Sequence, residues 1–521
     1  MKISPSLLFA ALLAFALPAI PVHAQDTSKD NKPAASDQKS ASSSDQPKEE
    51  SSVTDHTIQL GGQTIPYKAT ASTTLLKNDE GDPTALMYST AYVRSDTKDF
   101  SERPIAFVYN GGPGSASIWL HMGAFGPRRV VTSDVTPTPP APYTTVDNTE
   151  CLLDKTDLVF IDPVGTGFSH AVGKAKDKDF WGVDPDIKSI AQFITTYITR
   201  NNRWNSPKFL IGESYGTFRS AGLANYLQSH NSVNINGIAL ISNVLDLSSI
   251  IFVPGQDMPY IYYLPSYAAT AWYHNTLKDR PADLPAFINE ARQYASTDYA
   301  AALMKGSNLT DAEKAAVAKK LSYFTGLSED YLLKASLRVT LGQFRAELQR
   351  SRGLETGRLD ARFSSDMYDL LTEYAGNDAL DIAIGSAFVA TFNQYLRETL
   401  KYNPDRNYVA LSEAVGNNWD WKHNSSSPGG DPVSPSTEPD LINALLGNPN
   451  LNVQVENGYF DLATPFFATE YTMNHLLLPA NLQQRIHLEY YTAGHMMYLH
   501  DTDRAKLKAN IESLIDSSYK H

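Results

Sequence analysis

The stretch Phe209-Leu210-Ile211-Gly212-Glu213-Ser214-Tyr215-Gly216 constrains the fold of this chain more than any other. Phe209-Leu210-Ile211 is a short apolar run, suited to a strand buried on both faces. Thr217 to Gln228, just beyond, has helical character. Between them lies Gly-x-Ser-x-Gly. A chain that leaves a buried strand and enters a helix in so few residues must turn sharply. Only small residues fit around such a serine, and its hydroxyl projects above the sheet. The helix N-terminus and the Tyr215 N–H then face a position where negative charge could develop. A glycine-bounded turn around an ordinary serine would use the same five residues. The flanking strand and helix are what make Ser214 a candidate nucleophile.

The surrounding pattern supplies a sheet for that turn. Thr57-Ile58-Gln59-Leu60 and Thr64-Ile65-Pro66-Tyr67 read as strands about a Gly61-Gly62 hairpin turn. Ala85 to Arg94, Ile105 to Tyr109, Leu158 to Ile161 and Ile235 to Ile241 read as further strands. Asp184 to Arg200 has helical spacing through Ile187, Ile190, Phe193, Ile194 and Tyr197. Alternating strands and helices predict an α/β class with a mostly parallel central sheet flanked by helices. Residues 248–397 are mainly helical and read as an inserted cap. Strand character returns at Val453-Gln454-Val455 and Ile486-His487-Leu488, followed by an amphipathic helix from Asp503 to Ser517. The core is thereby expected in two parts, 53–247 and 398–521. Hydrophobic residues at 42% and charged residues at 19% suit a core of that size.

Lys2, the apolar run Leu7 to Ile20 and the small residues before Gln25 make residues 1–24 a signal peptide, cut after Ala24. Residues 25–52 are rich in Ser, Asp, Lys, Gln and Pro and are expected to be a disordered linker. The single cysteine, Cys151, permits no intramolecular disulfide and fits the usual small buried thiol better than a nucleophile. Export to a bacterial periplasm is the expected destination. The net charge of −13 argues against nucleic acid as a partner, and no later segment is apolar enough for a membrane anchor.

A serine nucleophile needs a base oriented by an acid, and the chain order Ser, Asp or Glu, His goes with this strand–turn–helix arrangement. His495 in Ala493-Gly494-His495-Met496 follows the last strand and is the candidate base. Asp461 in Gly458-Tyr459-Phe460-Asp461 is the candidate acid, although a turn or helix-cap aspartate fits the same spacing. Asn110-Gly111-Gly112-Pro113-Gly114 also follows a strand, where glycines free backbone N–H groups to face an anion; a tight turn explains them equally. His500-Asp501-x-Asp503 reads as the start of the last helix rather than a metal site. No metal motif occurs, and no cofactor is implied.

Four segments, in order, resemble the serine carboxypeptidases: Asn110 to Gly114, Asp162-Pro163-Val164-Gly165-Thr166-Gly167-Phe168-Ser169, Gly212 to Gly216, and Gly494-His495-Met496. The spacing from Asp461 to Pro465 fits as well. The resemblance implies an α/β-hydrolase fold and a serine-type carboxypeptidase acting on peptides with a free C-terminal carboxylate. It implies Ser214, Asp461 and His495 as the triad and the Gly112 and Tyr215 N–H groups as the oxyanion hole. Asn110, Gly111, Glu213 and Met496 would contact substrate. A glutamate beside a carboxylate requires one of the two to hold a proton. Three positions depart from the family pattern: Val108 replaces a Trp, Ser115 a Cys, and Ala124 a second Glu that pairs with the first. Loss of that partner predicts less upward pressure on the Glu213 pKa. An esterase or acyltransferase using the same triad, and a non-catalytic binding protein, are the competing readings.

Overall fold

The computed structural model describes residues 47–376, 378–423 and 435–519. The expected signal peptide, and the expected linker up to residue 46, lie outside the described residues. Nine strands build one mixed sheet: β1 (Ser51–Leu60), β2 (Gln63–Lys77), β3 (Pro83–Arg94), β4 (Ile105–Tyr109), β5 (Asp157–Ile161), β6 (Lys208–Glu213), β7 (Gly237–Ile241), β8 (Asn452–Gly458) and β9 (Ile486–Tyr491). Their order is β1-β2-β3-β5-β4-β6-β7-β8-β9, and the two-residue strand His170–Ala171 pairs beside β3. β1, β2 and β3 run antiparallel, as does the β3–β5 pair. From β5 to β9 every pairing is parallel.

Every residue of β4 to β8 is buried, which explains the apolar runs of β4 to β7, whereas β8 alternates Val453 and Val455 with the buried polar Gln454 and Glu456. Side chains alternate between the two faces. Ile105, Phe107 and Tyr109 pack with Ile190 and Ile194 of helix α1 (Val183–Arg200) and Phe218 of helix α2 (Tyr215–Asn231). Ala106 and Val108 pack on the other face. β1 starts at Ser51, before the expected end of the linker at Ser52, and the Glu50 N–H donates to Thr73 Oγ1 at 2.9 Å. The polar composition misleads there because the strand is a sheet edge with one exposed face.

A third buried cluster runs through helices α3 (Met258–Tyr273), α4 (Leu284–Tyr294) and α5 (Asp311–Thr325), in the segment expected to be a cap. Phe460 and Leu462, on either side of Asp461, are buried in that same cluster. Helix α6 (Ala379–Glu398), expected within the cap, instead packs Leu380, Ile384, Phe388 and Phe392 with Val108 and Phe160 of the sheet. Helical spacing identifies an apolar stripe but not the surface that covers it. Helix α7 (Asp501–Tyr519) closes that face with Leu507, Ile511 and Leu514. Among the described residues, no helix is long and apolar enough to cross a membrane.

Asp157 heads β5 and is fully buried, yet it holds two arginines: Arg103 Nε at 3.0 Å and Arg203 NH1 at 2.6 Å. Its Oδ1 also accepts the Arg94 N–H at 3.0 Å. Asp157→Ala strands both guanidinium groups in a dry site, and denaturant titration is expected to show a loss of about 3–5 kcal/mol.

Candidate active site

Ser214 joins β6 to α2 with φ 59° and ψ −130°, a strained backbone outside the ordinary regions. Two contacts hold the turn. The Ser214 N–H donates to Ile241 O at 2.9 Å, and Thr217 Oγ1 donates to Ser214 O at 2.7 Å. A Cβ on Gly212 would collide with the Gly216 carbonyl, so glycine at 212 is required by space, while a Cβ on Gly216 would press to 3.0 Å from Tyr109 O. Gly111 meets the turn from β4: a Cβ there would run into the Tyr215 amide nitrogen and come within 2.7 Å of that of Gly216. The backbone of Asn110 and Gly111 therefore lies directly against the start of α2.

His495 and Asp461 come together as the sequence predicts. His495 Nδ1 donates to Asp461 Oδ2 at 2.7 Å, and both side chains are buried. Asp461 Oδ1 accepts the N–H groups of Ala463 (2.7 Å) and Thr464 (2.9 Å), and Oδ2 accepts Thr464 Oγ1 at 2.7 Å. The aspartate is thus both a turn residue and the imidazole's partner. Burial opposes charge on His495, but the Asp461 carboxylate and its hydrogen bond outweigh it and raise the imidazole pKa. Ser242 Oγ donates to His495 O at 2.7 Å. Because Ser242 follows Ile241, whose carbonyl takes the Ser214 N–H, one strand end ties together the loops of Ser214 and His495. Met496 is buried at 6% exposure among core residues that include Tyr498.

Asn110 Nδ2 donates to Glu213 Oε1 at 2.8 Å. Glu213 is 4% exposed, and its Oε2 has no hydrogen-bond partner. Burial pushes its carboxyl up to about 7, against the pull of His495, Tyr498 and Asn110. The weaker pressure expected from Ala124 is thereby corrected: desolvation keeps the proton on Glu213 without a second acid. Three neighbours that local motifs did not reveal hold the site. Asn110 Oδ1 accepts the Leu120 N–H at 3.1 Å, and Asn110 O accepts Arg219 NH1 at 2.7 Å. Arg219 in turn forms a buried bidentate pair with Asp186, at 2.7 and 3.2 Å. Arg219 lies in the helix that begins at the Ser214 turn, Leu120 in a short turn close to Asn110, and Asp186 in α1; helical character alone does not single them out. Cys151 is buried and its thiol is pushed up to about 12, and His500 pairs with Asp503 at the start of α7.

The family model of the serine carboxypeptidases matches residues 65–503. The chain belongs to the serine carboxypeptidase family. A human relative, retinoid-inducible serine carboxypeptidase, is 30% identical over 135 residues, which is 25% of this chain and about a quarter (26%) of the relative. The solved structure of Kex1(delta)p, a prohormone-processing carboxypeptidase from Saccharomyces cerevisiae, superposes with a TM-score of 0.55 at 17% identity, covering 87% of this chain and 91% of that one. That likeness supports the α/β-hydrolase fold.

Family membership leaves a stability signature to be measured. Glu213 and Glu456, both buried, keep their protons up to about pH 7. The stability linked to them is complete below the unfolded carboxyl value near 4.5 and is lost as pH rises to about 7. His423 is held between Asp184 (2.6 Å) and Asp440 (2.8 Å), and those carboxylates overcome its burial to raise it to about 9. Its contribution is complete below about 6.5 and is lost as pH rises through about 9. Both signs agree. Unfolding free energy is expected to fall from pH 5 to pH 9, and Glu213→Gln to remove roughly 3 kcal/mol of that fall.

Proposed function

We propose that this serine carboxypeptidase family member removes residues from the C-terminus of peptides through an acyl-enzyme on Ser214. One observation carries the reading: beside the Ser214 turn sits a buried glutamate that retains its proton and has an unpartnered oxygen. A neutral carboxyl there can donate a hydrogen bond to a substrate carboxylate, whereas an ionised one would repel it.

In this mechanism Ser214 Oγ attacks the last peptide carbonyl while His495 Nε2 takes the hydroxyl proton. Asp461 fixes the imidazole through Nδ1 and stabilises its charge. The N–H groups of Gly112 and Tyr215 receive the oxyanion, a role favoured by the close approach of the Gly111 backbone to Tyr215. His495 passes the proton to the departing amine nitrogen, the tetrahedral adduct collapses, and the released residue leaves. Water then attacks the acyl ester with His495 as base, which restores Ser214. Asn110 and Glu213 hold the terminal carboxylate and so place the last peptide bond over Ser214.

An esterase would share the acyl-enzyme but has no use for the buried Glu213–Asn110 pair. The leader pattern of residues 1–24 supports export, with the periplasm as the place of action.

A peptide with a free C-terminus is expected to be shortened while its C-terminal amide is spared, as read by mass spectrometry. Equal cleavage of both would remove the exopeptidase claim. Ser214→Ala should abolish labelling by a fluorophosphonate and lower turnover by at least about a thousandfold. For free-acid peptides kcat/KM should decline above about pH 7 as Glu213 loses its proton, and Glu213→Gln should flatten that limb.

A further inference from the structure

A second unpartnered polar group lies beside Glu213. Tyr498 belongs to the short turn Met497–Leu499 that follows His495, and its side chain is completely buried. Its hydroxyl, like Glu213 Oε2, has no hydrogen-bond partner. The phenol and Glu213 act on each other but stand outside full hydrogen-bond geometry, so each keeps bonding capacity in a dry site that a ligand would satisfy. The phenol is near enough to Glu213 and Asn110 to interact with each of them.

Local sequence explains how the ring comes to be there. Helical turn Leu120–Phe125 packs across the same site, and all six of its residues are buried. A Cβ at Gly123 would stand 2.7 Å from Tyr498 Cε2 and 2.9 Å from Cδ2. Glycine at 123 therefore leaves room for the aromatic ring. Ala124, beside it, bears no acid, and the phenol is a polar side chain near enough to act on both Asn110 and Glu213.

We propose that Tyr498 is a substrate-binding residue, donating its hydroxyl to one oxygen of the peptide's terminal carboxylate while Glu213 donates to the other. The proposal rests on the carboxypeptidase reading and adds a residue and a chemical consequence to it. Asn110 Nδ2 already occupies Glu213 Oε1, which leaves Oε2 and the phenol as a pair of donors for a pair of acceptors. The two donors differ in kind. Glu213 donates only while it keeps its proton, whereas burial, followed by the nearby Glu213 carboxyl, pushes the Tyr498 phenol well above its ordinary value. Tyr498 thus donates across the whole working range, and one hydrogen bond to the carboxylate persists when Glu213 ionises.

The test is competition for Ser214. Labelling by a fluorophosphonate is measured with increasing N-acetyl-phenylalanine or N-acetyl-phenylalanine amide, on the full chain and on Tyr498→Phe, which keeps the ring against Gly123. In the native protein the acid should protect far better than the amide. Tyr498→Phe should shrink that acid-to-amide ratio by roughly 10- to 100-fold, the loss of one hydrogen bond to a charged group. The pH above which the acid ceases to protect should also move upward, because the phenol helps hold the Glu213 pKa down. Melting temperature should hold or rise, since an unmatched buried hydroxyl has been removed. An unchanged ratio in a folded variant overturns the assignment, as does an equal loss of protection by acid and amide, which would make Tyr498 a support for the His495 turn. If acid and amide protect the native protein equally, the carboxypeptidase reading itself falls and takes the proposal with it.

Discussion

Parallel hydrogen bonding between neighbouring strands is the interaction on which the site depends. Tyr109 lies opposite Gly212, Ile241 opposite both Glu213 and Glu456, and Gly458 opposite Tyr491. β4, β6 and β7 therefore end within about one residue of each other and β8 and β9 run two residues further, so Asn110, Ser214, Ser242, Asp461 and His495 all lie beyond the same edge of the sheet. A ligand crevice at the carboxyl ends of parallel strands is the general expectation for such sheets. Here the register also sets the fine geometry. A slip of β7 by one residue would carry the Ile241 carbonyl away from the Ser214 N–H and the Ser242 hydroxyl away from the His495 loop together.

Burying this many polar groups at both ends of the sheet calls for two solutions, and the molecule uses both. Some charges are fully compensated: Asp157 by two arginines, and Arg219 by Asp186 in a bidentate pair that also holds the Asn110 carbonyl. Others are kept neutral. Glu213 and Glu456 retain protons because desolvation outweighs their hydrogen bonds. The compensated groups brace the backbone, while a neutral carboxyl with a spare oxygen remains available to a ligand. That division explains why Ala124 does not abolish a protonated Glu213. The second acid was expected to set the proton's affinity, but the low polarity of the surroundings suffices.

Residues that act through local backbone geometry were legible in the sequence. Gly212 to Gly216 announces its turn by the glycines and by the strand and helix around it, β4 to β7 announce themselves by apolar runs, and β8 by the alternation Val453-Gln454-Val455. His495 and Asp461 could be placed because each follows a strand. What stayed hidden depends on contacts between distant segments. Tyr498 matters through the space left by Gly123, and Ser242 through a hydrogen bond to a residue 253 positions away. Helix α6 shows the same limit at larger scale: its stripe of Leu380, Ile384, Phe388 and Phe392 was readable, but its partner layer was not. The edge strand β1 was partly missed because an exposed strand face has the composition of a linker.

Phe460 and Leu462 bracket the aspartate that orients His495, yet they are buried among the helices of the cap. Cap assembly and the acid's position are consequently one event. A substitution that loosens the packing around Phe460 or Leu462 therefore reaches His495 through Asp461 without touching either of them, so the inserted helices act as a remote mount for the imidazole.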